Sequence, residues 1–181
     1  MTAATFDTSL GAFTMTLNSA AAPIAAANFV ALARCGFYDG ITFHRVLTGF
    51  VAQAGDPNTR QNQGDFEGLG TGGPGYRFVV ELPPEGLDYD PYTVAMANTG
   101  APDSNGSQFF ICLSDLDAQF VDATGQPQRI YTIFGLVTDG RDVVDAIGQV
   151  EVSSDITGVP VDPVVIRSIE LTPEESTPSG S

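Results

Sequence analysis

Short runs of alternating apolar and polar residues, cut by glycine and proline at nearly every bend, constrain this chain more than any other feature. Phe13, Met15 and Leu17 alternate with Thr14 and Thr16, and residues 164–171 alternate in the same way. A period of two belongs to a half-buried strand. The 20 glycines and 12 prolines are scattered along the chain, which suits many turns between short strands better than a helical bundle. At 181 residues the chain has the length of one domain with a sizeable core, and no internal repeat is visible.

Residues 4–17 read as a hairpin with its turn at Leu10-Gly11. The segment PIAAANFVALARCG reads as a helix over 23–35, with Pro23 in the first turn and Gly36 just past the end. Ala25, Phe29, Leu32 and Ala33 share one of its faces. Residues 41–54 read as two strands around Thr48-Gly49. A long loop, residues 55–76, carries the run GLGTGGPGY, whose glycines suit a specified path. Further strands are predicted over 76–81, 93–97, 108–113, 131–136 and 164–171. A second helix is predicted over 141–147, with Asp139 as its N-cap. Residues 1–171 form a single domain in this reading, and 172–181, poor in apolar side chains, form a disordered tail. The residues themselves point to an antiparallel barrel or sandwich with helices at its ends.

The charge balance excludes some functions. Seven basic residues, all arginine, stand against 22 acidic ones for a net charge of −15. No basic stripe is present to meet phosphates, so nucleic acid is not an expected partner, and anionic membrane surfaces are disfavoured. An acidic surface of this kind either aids solubility or marks adaptation to high salt, and composition does not separate the two. The N-terminus has no basic, apolar signal pattern, and no apolar stretch is long enough to span a bilayer, so the expected location is cytoplasmic. Cys35 and Cys112 sit in apolar stretches without metal-ligand spacing. They read as two reduced, buried thiols, with a single disulfide as the alternative.

The chemistry concentrates in two constellations. Phe43-His44-Arg45-Val46 is followed by Gly49-Phe50-Val51 and Gln53. An arginine in an apolar strand is costly unless it pairs with a carboxylate or faces a wet groove. Arg45 and Gln53 stand opposite each other if the turn spans the three residues 48–50, and fall out of register with a two-residue turn. The second constellation is Ala97-Asn98 with Asn105-Gly106-Ser107-Gln108-Phe109-Phe110. Here Gln108 enters an apolar strand and the Asn98 backbone ends one.

The runs FHRVLTGFVAQAGDP, GTGGPGY, MANTG, NGSQFFI and YTIFG resemble the cyclophilin family of peptidyl-prolyl isomerases, over nearly all of the chain except the tail. The resemblance implies a mainly β fold: a closed eight-stranded antiparallel β-barrel capped by two α-helices, with the substrate in an outer groove. It implies that Arg45 is the catalytic arginine and that Gln53 hydrogen-bonds the substrate backbone. Phe50, Val51 and Phe110 then resemble the walls of a proline pocket. Ala97, Asn98 and Gln108 resemble neighbouring groove residues, and Gly70, Thr71 and Gly72 the rim of a pocket for residues preceding the proline. No cofactor or metal is implied. The implied partners are proline-containing peptides and unfolded proteins, and a barrel with few exposed edges suits a monomer.

Three departures stand out. Val51 replaces a usual methionine. The chain has no tryptophan, and Phe120-Val121-Asp122 is the best match to the Trp-Leu-Asp of many eukaryotic members, which places Val121 in the groove. Tyr131, after an insertion over 123–130, stands where those members have histidine, as in many bacterial ones. These changes imply weakened affinity for cyclosporin-type ligands. Two rival readings differ in class. A hydrolase using His44, the single histidine, lacks a nucleophile-elbow motif. His44 reads instead as structural, its ring satisfied by local hydrogen bonds. A module or chaperone that holds proline segments with little turnover is the alternative that an isomerisation assay separates.

Overall fold

The computed structural model describes residues 2–60, 68–121, 124–125 and 128–173. Among these residues nine strands and two α-helices follow one another: β1 (Thr2–Thr8), β2 (Gly11–Leu17), α1 (Pro23–Arg34), β3 (Thr42–Phe43), β4 (Arg45–Leu47), β5 (Val51–Ala54), β6 (Thr93–Met96), β7 (Phe109–Cys112), β8 (Ile133–Asp139), α2 (Arg141–Ile147) and β9 (Val164–Pro173). The strands pair in the order β3-β9-β1-β2-β8-β6-β7-β5-β4, antiparallel throughout. The two ends of that order are joined covalently through His44, so the segment 42–47 brings the sheet round on itself. It pairs with β9 through its first half and with β5 through its second. The count is nine rather than the expected eight because His44 interrupts this one segment. The result is a nearly closed β-barrel.

Alternation fills the interior. Phe6, Phe13, Met15, Val94, Met96, Phe109, Ile111 and Phe134 point inward and are almost wholly buried. Phe29 of α1 joins them, its ring 5.5 Å from Phe134 and 6.1 Å edge-on to Phe109. Burying each such side chain contributes about 1.5–3 kcal/mol. The expected face of α1, with Ala25, Phe29, Leu32 and Ala33, is the buried one.

Four local expectations need correction. Residues 76–81 do not form a strand; they make one isolated bridge, Phe78 to Asn105. They run instead across α1, where Glu81 accepts hydrogen bonds from the N–H groups of Ile24 (3.0 Å) and Ala25 (2.8 Å). Ala22 offers no side-chain cap, so this carboxylate satisfies the helix N-terminus from a distance. The N-cap of α2 is Gly140, not Asp139, which still belongs to β8. Cys35 is exposed rather than buried because it ends α1. Cys112 is buried as expected, and that burial pushes its thiol up to about 12. Thr172 and Pro173 extend β9 against β1; the rest of the expected tail lies outside the described residues.

Candidate active site

The register of one hairpin builds the site. β4 and β5 pair as Arg45 with Gln53, Val46 with Ala52 and Leu47 with Val51, leaving residues 48–50 as a three-residue loop. Gln53 also lies opposite Phe110 of β7, Val51 opposite Cys112, and Phe110 opposite Ala95 of β6. Directly opposed residues share a face. Arg45, Gln53, Val51, Phe110, Cys112 and Ala95 therefore all point away from the barrel interior, while their neighbours Val46, Ala52, Phe109, Ile111 and Val94 fill it.

On that outer face a second, smaller apolar cluster forms. Val51, Ala95, Phe110, Cys112 and Ile133 come from strands, and Tyr89 and Leu116 close it from loops. Phe50, Phe120 and Tyr131 stand half-buried at its edge. The Phe120 ring lies 5.9 Å from Phe50, 6.2 Å from Phe110 and 5.0 Å from Tyr131. Tyr89 locks the far wall: its hydroxyl donates to the Tyr131 carbonyl (2.8 Å) and accepts the Tyr131 N–H (3.0 Å). Burial pushes that phenol up to about 12, so it stays a donor.

A polar chain borders the apolar slot. Arg45 Nη1 donates to Gln53 Oε1 at 3.5 Å, Gln53 Nε2 to Gln108 Oε1 at 3.0 Å, and Gln108 Nε2 to the Gly72 carbonyl at 2.9 Å. The two ion pairs among the described residues are Arg129–Asp88 and Arg167–Asp7. Arg45 has no carboxylate partner among them, so the structural ion-pair alternative finds no support there.

The glycine-rich loop is tied down from beneath. Asp56, fully buried, accepts hydrogen bonds from the N–H groups of Asn58 (2.8 Å), Gly70 (2.6 Å) and Gly72 (3.3 Å). Gly72 passes so close that an added Cβ would run into the Asp56 carboxylate and the Asn58 side chain. Gly70, Thr71, Ala97, Asn98, Gln53 and Gln108 line a groove of about 820 Å³ between this loop and the end of β6. The Asn98 side chain donates to the Ile130 carbonyl (2.9 Å), while neither of its backbone groups has a hydrogen-bond partner among the described residues.

Arg45, Gln53, Phe50, Val51, Phe110, Tyr131, Gly70, Thr71, Ala97, Asn98 and Gln108 are thus brought to one outer face. Val121 is not among the packed residues. It is 41% exposed, and Phe120 beside it supplies the aromatic wall; Asp122 lies outside the described residues. Tyr89, Leu116 and Asp56 were not anticipated. Only Asp56 carried a signal, as an Asp-Pro-Asn turn directly after a strand.

His44 differs from expectation. Its ring is buried and neither nitrogen completes a hydrogen bond among the described residues, although the Thr42 backbone is near. Burial lowers its pKa to about 4; the Asp56 charge opposes this and the Arg45 charge adds to it. Among the described residues no group of three or more His, Cys, Asp or Glu side chains is arranged to hold a metal ion, and no helix is long and apolar enough to cross a membrane.

Comparison with known proteins bears on the family and the fold. The family described as "Cyclophilin type peptidyl-prolyl cis-trans isomerase/CLD" matches residues 3–171. The chain is 41% identical over 186 residues to peptidyl-prolyl cis-trans isomerase A of Mycobacterium tuberculosis, covering 93% of this chain and 91% of that protein. It is 39% identical over 175 residues to a peptidyl-prolyl cis-trans isomerase of Streptomyces antibioticus, covering 94% and 99%. A crystal structure of a cyclophilin-type isomerase from Cryptosporidium parvum, obtained in the presence of the dipeptide Ala-Pro, superposes with a TM-score of 0.77 at 31% identity, covering 94% of this chain and 99% of that one.

Proposed function

The chain belongs to the cyclophilin-type peptidyl-prolyl cis-trans isomerases, and from that premise we propose that it turns X-Pro bonds over the outer apolar slot with Arg45 as the decisive donor. The amide barrier is about 18–20 kcal/mol because resonance holds the bond planar. X-Pro bonds are the workable target because their cis form lies only about 0.5–1 kcal/mol above trans. Twisting the bond makes the prolyl nitrogen pyramidal and returns its lone pair. A guanidinium over that nitrogen then donates a hydrogen bond that the planar ground state accepts poorly. Such binding favours the transition state over the substrate. An acceleration of about 10⁵ requires lowering the barrier by roughly 7 kcal/mol.

One observation carries this reading: a guanidinium beside an apolar slot, with no carboxylate among the described residues and a single 3.5 Å contact to Gln53. In this reading Phe50, Val51, Phe110, Phe120 and Tyr131 hold the proline ring, with Val121 at the rim. Gln53, Gln108 and the backbone of Asn98, which has no hydrogen-bond partner among the described residues, hold the chain before it, along Gly70 and Thr71. The partners are proline-containing peptides and unfolded proteins, including Ala-Pro segments of the kind present with the Cryptosporidium relative. Val51, Phe120 and Tyr131 favour weakened binding of cyclosporin-type ligands. The few exposed strand edges favour a monomer, and two unpaired cysteines favour the reducing cytoplasm.

The test is NMR exchange spectroscopy on an Ala-Pro peptide. Wild type should speed cis/trans exchange, and Arg45→Ala should bind the peptide while losing most of the acceleration. Binding without acceleration by wild type would leave a proline-holding module instead.

A further inference from the structure

A second cleft of about 430 Å³ adjoins the glycine-rich groove at Gln53 and Gly70. Gln53 and Gly70 belong to both cavities, and Arg45 lines only the second. Its apolar walls are Leu69, Ile156 and Val159. We propose that this cleft is a subsite for the residue following the proline, and that it selects an apolar side chain there. The inference rests on the reading above, in which the proline ring occupies the slot at Phe110. In that reading the groove at Thr71, Ala97 and Asn98, which Arg45 does not line, takes the residues before the proline, and the cleft that Arg45 does line is left for the chain after it.

The loop that carries Ile156 is fixed at this position. Val46, the residue after Arg45, donates its N–H to the Gly158 carbonyl at 2.6 Å. Within the loop, Ser153 N–H donates to the Val159 carbonyl and Gly158 N–H to the Ser154 carbonyl, both at 2.8 Å. Gly158 has φ +69°, and a Cβ there would lie 2.6 Å from the Val46 carbonyl oxygen, so only glycine allows the loop to press against β4. Ile156 is 88% exposed at the loop tip. A lone exposed isoleucine means little on most surfaces. Here its backbone is pinned beside Arg45, and its side chain borders a cleft continuous with the substrate groove. An aliphatic side chain seated there removes its own apolar surface and that of Ile156 from water together.

The experiment compares three peptides that differ only after an Ala-Pro unit, carrying Leu, Ser or Gly. Dissociation constants come from calorimetry and isomerisation rates from NMR exchange, for wild type, Ile156→Asp and Ile156→Met. The Leu peptide should bind wild type about fivefold more tightly than the Gly peptide, as partial burial of one aliphatic side chain requires. Ile156→Met should keep that preference and Ile156→Asp should lose it. If all three peptides are bound and isomerised alike by wild type, the subsite is overturned and the isomerase reading stands. An equal Leu preference in wild type and Ile156→Asp also overturns it. Binding without any isomerisation would count against the isomerase reading alone, because the calorimetric comparison still decides the subsite.

Discussion

Arg45 and Gln53 face each other across a three-residue hairpin, the guanidinium 3.5 Å from the amide oxygen, on the outer surface of the barrel. Gln53 is itself held by Gln108, and Gln108 by the Gly72 carbonyl. Arg45 is therefore aimed through a relay of neutral amides. No opposite charge among the described residues competes for its remaining donors.

Replacing Arg45 should separate chemistry from stability. Loss of a single donor to developing charge costs on the order of 10²–10³ in rate. Arg45→Ala should fall by about that factor in kcat/KM, mostly in kcat. Its melting temperature should stay close to wild type, because no ion pair among the described residues is broken. Arg45→Lys should recover little, since an ammonium lacks the planar fork. A large loss of melting temperature in Arg45→Ala would mean that the guanidinium is structural.

Asp56 should act at a distance from the reacting bond. Asp56→Ala leaves the N–H groups of Asn58, Gly70 and Gly72 without their acceptor, in a buried place. Unsatisfied buried donors cost about 1–3 kcal/mol each, reduced wherever water enters. The glycine-rich rim should loosen, so that KM for peptides rises more than kcat falls. Steady-state kinetics and thermal melting together check this, and unchanged KM would argue against the rim as a substrate contact.

Much of this site was readable in the chain because alternation is a backbone property. Once residues 48–50 form the hairpin loop, Arg45, Gln53 and Phe110 must share a face, and Val46 and Phe109 must take the other. The bounds of α2 and the buried face of α1 followed from the same local rules. What failed depended on distant contacts. Residues 76–81 have strand composition, yet Glu81 is drawn to the N-terminus of α1 across the surface. Phe120 and Val121 are adjacent, and only the packing of Phe50, Phe110 and Tyr131 decides which of them faces the slot. The imidazole of His44, whose nitrogens have no hydrogen-bond partner among the described residues, likewise depends on what surrounds it, which no local pattern encodes.

Phe120 offers a test of the slot. Its ring touches the edges of Phe50, Phe110, Tyr89 and Tyr131 and reaches solvent on its outer side. Aromatic contacts of this kind are worth about 0.5–1.5 kcal/mol each beyond area burial. Phe120→Ala should raise KM for proline peptides about tenfold, near 1.4 kcal/mol, with a smaller effect on kcat. Val121→Ala, at an exposed position, should change KM far less. Equal effects of the two substitutions would move the slot wall to Val121.

Net charge should govern the response to salt. With −15 on 181 residues, self-repulsion opposes the compact state at low ionic strength. Salt shortens the screening length from about 10 Å at 0.1 M to about 3 Å at 1 M. The melting temperature should therefore rise between low and molar salt. The two described ion pairs, both partly exposed, would lose little in exchange. A melting temperature that does not move would remove the high-salt reading of the composition.

His44 predicts a stability slope in mild acid. Burial holds its folded pKa at about 4 against 6.5 in an unfolded chain, with Arg45 adding to the shift and Asp56 opposing it. Between those values the unfolded state binds more protons than the folded one, so stability rises with pH. The contribution is complete above pH 6.5, is lost progressively as pH falls, and levels off below pH 4. Its full size is about 3 kcal/mol, at about 1.36 kcal/mol per pKa unit. His44→Phe replaces the imidazole by an apolar ring that does not titrate, and neither imidazole nitrogen has a hydrogen-bond partner among the described residues. Denaturant unfolding of wild type and His44→Phe should therefore give stabilities that diverge as pH falls from 6.5 towards 4, with wild type losing more. Parallel curves over that window would mean that the imidazole finds a proton acceptor in the folded protein and titrates near its ordinary value.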